Sequence, residues 1–346
     1  MARCRIYLIT YRRHQTLPRS LTSLLDQTFT DWVCELHNDD PTDPFPGQLV
    51  EELGDPRIQI VDHPENLGAT ASFNLIFQSV SEEFVSLLED DNWWDPDFLE
   101  TMLNAMAQFP AVKVGWANMR YWREEADGFW VDTGKNIWDI SSHAPPQLIE
   151  WGNPRQLFTA LHSNGAMLVR SQFANQYKTP ENIPFEAVEA TRERAFHFPL
   201  LFVPQICANF AITRHSSRSN NSILWAQLQT LLAGSFLKQM PHSPAELRQI
   251  WEHARHKRPT SVTTLFFAAF CCPGTTQVLQ GAKLADWWFF LVYCLKHPVA
   301  VWQISRAIAT FPELWQFLDQ QTARRNQEKG IRAEHCEPIG ELCPKF

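Results

Sequence analysis

Over its first 110 residues the chain alternates short apolar runs with amphipathic helical repeats, and this alternation restricts the fold more than any other feature. Residues 5–10 (RIYLIT) read as a strand, and residues 18–27 as a helix with Leu21, Leu24 and Leu25 on one face. Residues 32–37 and 58–61 follow as strands, 71–80 as a helix, 84–88 as a strand, and 97–109 as a helix that starts after Pro96. Strands separated by helices run parallel and are joined by right-handed crossovers, which makes an open α/β sheet. Ligands of such sheets sit at the carboxyl ends of the strands. The residues that follow each apolar run are therefore the place to look for chemistry.

The fourth run, FVSLL, leads straight into Glu89, Asp90 and Asp91, followed by Asn92-Trp93-Trp94-Asp95-Pro96. Side chains alternate along an extended backbone, so Glu89 and Asp91 point the same way. Two carboxylates on one side suit a hard divalent cation shared with substrate phosphates, and such an ion offsets the charge of a leaving diphosphate. An acidic turn capping the next helix, with Asp95 ahead of Pro96, accounts for the same residues without any ligand. After the second run comes Asn38-Asp39-Asp40-Pro41-Thr42-Asp43, where a carboxylate can accept a uracil imide N–H or a ribose hydroxyl; an Asx-rich turn is the alternative. Between the two clusters, Asn66-Leu67-Gly68 precedes a helix whose first N–H groups favour an anion, although an ordinary helix start looks the same.

Taken in order, these segments resemble the inverting family 2 glycosyltransferases. The stretch RIYLITYRRHQTLPRSLTSLLDQTFTDWVCELHNDDPTD is similar to that family's opening strand, its S-L-L-x-Q-T helix and its strand ending in paired Asp. NLGATASFN is similar to its Asn-x-Gly segment, and LLEDDNWWDPDFLE to its D-x-D motif with a trailing W-x-P. The resemblance is strong over residues 4–100 and weaker over 111–220. It implies a GT-A fold, a Rossmann-like, mostly parallel sheet flanked by helices, here with an α-helical C-terminal extension. It places Thr10, Tyr11, Asp39 and Asp40 at the donor nucleotide, with Asn66, Gly68 and Asp90 on the donor side. Glu89 takes the first acid position of D-x-D, facing ribose or metal, and Asp91 the second, as principal metal ligand. Glu89 and Asn92 both depart from the family's usual Asp.

Further along, the resemblance sets Gly165, in HSNGAMLVR, against the donor sugar, and Arg214 and His215, in AITRHSSRSNNS, on diphosphate and metal. An inverting transfer needs a carboxylate to take the proton of the acceptor hydroxyl. The family's Glu-Asp pair is absent, which leaves Glu193 as the first candidate and Glu189 and Glu186 as rivals, in a stretch that also fits a solvated, salt-bridged face.

The implied activity moves a sugar from a nucleotide-sugar donor, UDP-linked by preference, to a hydroxyl of a glycan or lipid-linked acceptor, with Mn²⁺ or Mg²⁺. A catalytically degenerate nucleotide-sugar binder is the alternative. The sugar-phosphate nucleotidyltransferases are disfavoured, because Thr10-Tyr11-Arg12-Arg13-His14 has no Gly-rich loop. A net charge of −8 argues against nucleic acid as a partner.

The expected division is 1–220 for the GT-A domain, 221–321 for helices and 322–346 for a mobile charged tail. Residues 111–220 are expected to add edge strands and acceptor-side loops. The helices are expected over 223–240, 244–256, 261–272, 277–293 and 299–319. The apolar run 287–293 reads first as buried against the catalytic domain or a second subunit, with shallow docking at a membrane as the alternative. The longest apolar runs span nine and eight residues, against about 20 for a bilayer crossing. With scattered cysteines and no leader-like segment, the expectation is a cytoplasmic protein, with peripheral membrane contact as the variant.

Overall fold

The computed structural model describes residues 2–214, 219–238, 242–257 and 259–335. The chain forms two compact units, one of Met1–Asn153 with Ala160–Asn220, the other of Pro154–Thr159 with Asn221–Phe346.

The first unit is organised around one sheet. Its strands are β1 (Cys4–Thr10), β2 (Trp32–Asn38), β3 (Ile58–Asp62), β4 (Phe84–Glu89), β5 (Trp93–Trp94), β6 (Val114–Glu124), β7 (Trp130–Asn136), β8 (Gln147–Ile149), β9 (Met167–Arg170) and β10 (Leu200–Ile212). They lie in the order β3-β2-β1-β4-β9-β6-β10-β5, with β7 beside β6 and β8 beside β10. Strands β1 to β4 pair in parallel, as do β6 and β10, and β9 runs antiparallel between β4 and β6. β1 is buried on both faces, as a central parallel strand must be: Cys4, Ile6, Tyr7 and Leu8 are all inaccessible.

The helices of this unit are α1 (Leu17–Leu25), α2 (Phe45–Leu53), α3 (Ala69–Asn74), α4 (Phe98–Gln108), α5 (Ser171–Ala174) and α6 (Val188–Ala195). α1 and α4 close the core through Leu17, Leu21 and Leu24 and through Phe98, Leu99, Met102 and Met106.

Three features depart from the sequence reading. α2 has no counterpart in it, because FPGQLVEEL carries Pro and Gly and buries only Pro46; Pro at its start and Gly54 in a left-handed conformation (φ 61°) delimit it. α3 ends at Asn74 instead of running to residue 80. There the buried Asn74 amide turns to Thr179, donating to its carbonyl at 2.8 Å and accepting its N–H at 3.1 Å. Finally, one strand-like run of 111–220, residues 166–169, is not an addition at an edge. β9 is inserted at the middle of the sheet, where its apolar residues Met167, Leu168 and Val169 are fully covered.

The second unit is helical: α7 (Ser222–Lys238), α8 (Pro244–Lys257), α9 (Pro259–Cys271), α10 (Leu284–Lys296), α11 (Pro298–Ser305), α12 (Ala307–Thr310) and α13 (Pro312–His335). Leu228, Leu231, Leu232 and Phe236 of α7 and Leu265, Phe266, Ala268 and Ala269 of α9 are buried, as is Trp251 of α8, whose indole N–H donates to Val278 O at 2.8 Å. The helix expected over 277–293 is instead a 3₁₀ turn, Thr276–Gly281, followed by α10, and the one over 299–319 is divided into three. Pro298 and Pro312 each open a new helix, since proline has no N–H to continue the old one. α13 runs through residue 322, where a tail is expected, because Thr322 and Arg325 are buried on one face. Within the single chain the run 287–293 is not buried: in α10 only Asp286 is. Among the described residues no helix is long and apolar enough to cross a membrane.

Candidate functional site

Parallel register sets the carboxyl ends of four strands level with one another. Thr10 of β1 lies opposite Asn38 of β2, Asn38 opposite Asp62 of β3, and Ile9 opposite Glu89 of β4. The segments that leave these ends enclose a cleft of about 370 Å³. Ile9, Tyr11 and Arg13 enter it from β1, Asp39 from β2, Glu89, Asp90 and Asp91 from β4, and Asn66, Gly68, Ala69, Ser72 and Phe73 from the turn into α3 and from α3 itself; Phe185, ahead of α6, completes the lining.

Asp39 is buried, and its carboxylate is surrounded by donors. Oδ1 accepts the N–H of Leu67 (2.8 Å) and faces His63 Nδ1 (3.0 Å); Oδ2 accepts the N–H of Gly68 (3.2 Å) and the hydroxyl of Ser72 (3.3 Å). The Asn66 amide donates to the Asp39 carbonyl at 3.0 Å. N–H groups that the sequence offers to an anion are thus taken by this side chain. Gly68 (φ 77°) adopts a conformation that other residues rarely hold and so lets the loop turn onto the carboxylate. Behind Asp39, His63 Nε2 lies 2.9 Å from His37 Nδ1, and His37 Nε2 lies 3.3 Å from Glu35, which is paired with Arg5. Three bonds across two imidazoles need three ring protons, so two neutral rings cannot make them all. Burial and the neighbouring His63 lower the pKa of His37.

Asp40 does not line the cleft. It accepts Arg12 Nε at 2.6 Å and both the N–H (3.0 Å) and the hydroxyl (2.7 Å) of Thr42, and these contacts, the Arg12 bond first, hold its pKa down at about 2. Thr10 is buried at the strand end, whereas Tyr11 is exposed in the cleft and its N–H donates to Asp90 Oδ2 at 3.2 Å. Burial, reinforced by the charge of Asp91, pushes the Asp90 carboxyl from 3.8 to about 7, against the weaker opposing pull of Thr10, Arg13 and the Tyr11 N–H.

On the opposite wall, Asn92 is buried, donates to Glu89 Oε2 and accepts the N–H of Ala211 at 2.9 Å. An aspartate could accept but not donate, which accounts for an Asn in this position. Gly165 adjoins the same pair. A Cβ there would stand 2.6 Å from Glu89 Oε2 and 3.0 Å from Asn92 Nδ2, so this glycine makes room for the first acid. Trp94 holds the glycine in place, its indole N–H donating to Gly165 O at 2.7 Å. Arg19 of α1 binds the Asp91 carbonyl at 2.7 Å with its guanidinium between the rings of Trp93 (3.8 Å) and Trp130 (4.3 Å).

α6 is buried in spite of its charges. Glu193 accepts the N–H groups of Leu161 (2.7 Å) and His162 (3.4 Å) and faces His162 Nδ1 at 2.8 Å, entirely out of contact with water. Arg192 bridges Asn164 (3.1 Å), Phe73 O (3.2 Å) and Asn74 (3.2 Å) and stacks on Phe77; burial lowers its pKa to about 9. Glu189 is half-buried and accepts the N–H of Asn164 at 3.0 Å, one residue from Gly165. Glu186, also half-buried, accepts the N–H of Ser219 at 2.9 Å. Arg214 is exposed and bound to the β6–β7 turn, through Glu124 (2.9 Å) and the Ala126 carbonyl (3.2 Å), away from the cleft lining. His215 lies outside the described residues.

The structure therefore gathers Tyr11, Asp39, Asn66, Gly68, Glu89, Asp90 and Asp91 around one cavity, and leaves Thr10, Asp40, Gly165, Glu189, Glu193 and Arg214 off its lining. The sequence reading passes over Arg13, Ser72, Phe73 and Phe185. Of these, only Arg13, a cation just past a strand end, carries a signal that could have been used.

Residues 6–149 match the sequence model of Glycosyl transferase family 2. Two Escherichia coli proteins are similar over part of the chain. One, WcaA of strain K12, is named as a glycosyl transferase of colanic acid biosynthesis and is 31% identical over 99 residues. The other is the UDP-Glc:alpha-D-GlcNAc-diphosphoundecaprenol beta-1,3-glucosyltransferase WfgD, 27% identical over 101 residues. These matches cover 28% and 29% of this chain but only 36% and 40% of the relatives. The fold is also similar to a crystal structure of S. aureus TarS residues 1–349 with UDP-GlcNAc (TM-score 0.56, 13% identity, 96% of this chain and 92% of that one). The mixed, mostly parallel sheet with C-terminal helices is accordingly of the GT-A type.

Two outcomes follow from this geometry. Gly165→Ala should displace Glu89 and lower the melting temperature by an amount corresponding to about 1–3 kcal/mol, a loss partly recovered in Gly165→Ala/Glu89→Ala. An unchanged melting temperature in the single variant would contradict the close approach. For Asp90, a native pKa above the unfolded one means that the native state holds the extra proton, so this contribution to stability is present at low pH and is lost as pH rises from about 4 through about 7. In metal-free buffer, Asp90→Asn should therefore gain melting temperature over the parent as pH goes from about 5 to about 8. An equal difference at both ends would rule out the buried carboxyl as its source.

Proposed function

We propose that the protein is an inverting, metal-dependent glycosyltransferase that takes a sugar from a UDP-linked donor to a hydroxyl of a glycan or lipid-linked acceptor. The observation that carries this reading is the convergence of Asp39, Asn66 and Gly68 with Arg13 and with Glu89, Asp90 and Asp91 on a single cleft at the strand ends of a family 2 fold. The UDP-Glc of WfgD's name and the UDP-GlcNAc of the TarS complex support UDP as the nucleotide. A cytoplasmic setting goes with this reading, since all described cysteines are free thiols.

In this reading Asp39 fixes the nucleoside wall by ordering Leu67, Gly68 and Ser72, and Tyr11 covers the base. Arg13 faces the diphosphate. Glu89, held by Asn92, is directed at ribose, and Asp91 is the principal ligand of Mn²⁺ or Mg²⁺, with Asp90 beside it. The donor set fits such an ion, since Glu89, Asp90 and Asp91 bring carboxylate oxygens to one cleft. Among the described residues no three His, Cys, Asp or Glu are grouped to hold a metal, and a hard dication with two carboxylates completes its shell with phosphate oxygens and water. When bound, the ion supplies charge neutralisation to the leaving diphosphate.

For the base, the geometry favours Glu189 over Glu193. Phe185, in the turn that leads to Glu189, lines the cleft, and Glu189 itself is half-buried beside Asn164. Glu193 is sealed from water and bonded to Leu161 and His162, so its role is to position that loop.

UDP should raise the melting temperature, and more so with Mn²⁺; Asp91→Ala should remove the metal-dependent part. Equal protection of parent and variant by UDP and Mn²⁺ would refute the metal assignment. Glu189→Gln should lower sugar transfer by about 100-fold or more while leaving UDP binding intact. Tight UDP binding with neither transfer nor donor hydrolysis in the parent protein would instead identify a nucleotide-sugar binder.

A further inference from the structure

α10, LADWWFFLVYCLK, is apolar around almost its whole circumference, yet only Asp286 is buried. One face rests on α9: Phe290 stacks on Phe266 at 4.5 Å and meets Phe267 at 5.5 Å, and Tyr293 meets Phe267 at 6.2 Å. At 3.6 residues per turn, Leu284, Trp288, Leu291 and Leu295 fall within about 60° of one another on the opposite face. They form a continuous stripe whose exposure runs from 49% at Leu291 to 89% at Leu284. Val299 and Trp302 of α11 are exposed as well.

A water-facing stripe of this kind marks a surface that something covers, and the charges bordering it indicate what. Between residues 283 and 311 the only acid is Asp286, which is buried and neutralised by Arg255 through bonds of 2.6 and 3.1 Å. The exposed ionic groups of the same segment, Lys283, Lys296 and Arg306, are all cationic in a chain of net charge −8. A second copy docking by the same face would set these cations against their own equivalents, with no acid on either side to match them. A negatively charged lipid surface matches both the stripe and its border.

We propose that the exposed face of α10 and α11 docks in the plane of an anionic bilayer, with Leu284, Trp288, Leu291 and Leu295 entering the acyl boundary and Lys283, Lys296 and Arg306 at the headgroups. This surface is independent of the transfer reaction and stands whether or not the cleft turns over a sugar.

The test is co-sedimentation of the whole protein with phosphatidylcholine vesicles, with and without phosphatidylglycerol, alongside light scattering in the absence of lipid. The protein should sediment with the mixed vesicles and remain in solution with phosphatidylcholine alone. The stripe variant Trp288→Ser/Leu291→Ser/Leu295→Ser should lose at least about tenfold in vesicle affinity while keeping its circular dichroism and its UDP-induced melting shift. Lys283→Glu and Lys296→Glu should each cost about fivefold on mixed vesicles, a loss that fades in high salt. Failure to sediment with either composition overturns the proposal, as does a stripe variant that binds like the parent. Equal binding to both compositions overturns the anionic assignment. A parent dimer that the stripe variant converts to monomer, with no vesicle binding by either, would assign the face to a second copy instead.

Discussion

A carboxylate buried beneath a ligand cleft has to be met by donors, and at Asp39 the fold supplies them from a segment nearly 30 residues further along the chain. Two backbone N–H groups, one hydroxyl and one imidazole converge on it. That convergence fixes the end of β2 to the turn that opens α3, so one cleft wall is shaped by hydrogen bonds within the chain. The imidazole side continues through His63 and His37 to Glu35 and Arg5, tying the same wall to the central strands. Pre-ordering of this kind reduces the entropy that binding would otherwise have to overcome.

The facing wall is organised differently. Glu89 is steered by Asn92 and accommodated by the missing side chain of Gly165, and the turn containing Gly165 is held from one side by Trp94 and from the other by Glu189 and Arg192. Here a buried helix full of charge, α6, serves as a scaffold. Its buried Arg192 and Glu193 are each met by hydrogen-bonding partners, and removing those partners would leave the charge stranded in a dry interior. The acids that the cleft presents are thus backed by a polar framework.

How much of this was legible depends on the range of the interaction. Strands β1 to β4 could be read because their apolar runs are local and their helices amphipathic, and parallel register then delivers Asp39 and Glu89 to one edge without further information. β9 could not be placed from its sequence, since MLV is equally at home at an edge or in the centre, and only pairing with β4 and β6 decides. Glu193 fits the position of a catalytic base by spacing, but spacing does not reveal whether a side chain faces a cleft or a core. Arg192 and Arg194 read as surface charges for the same reason. In α10 a run with no polar face implies burial, yet within the chain α9 meets it on one apolar side.

By itself the sequence determined the alternation of strand and helix, the acids that terminate the strands, and the match of residues 6–149 to the Glycosyl transferase family 2 model. These are properties of neighbouring residues, set by periodicity and steric preference along the chain. Tertiary structure alone decided which acids share a cavity, which are spent on holding loops, and which apolar residues are left facing water. Those outcomes depend on desolvation and on partners tens of residues away, quantities that exist only once the chain has closed on itself.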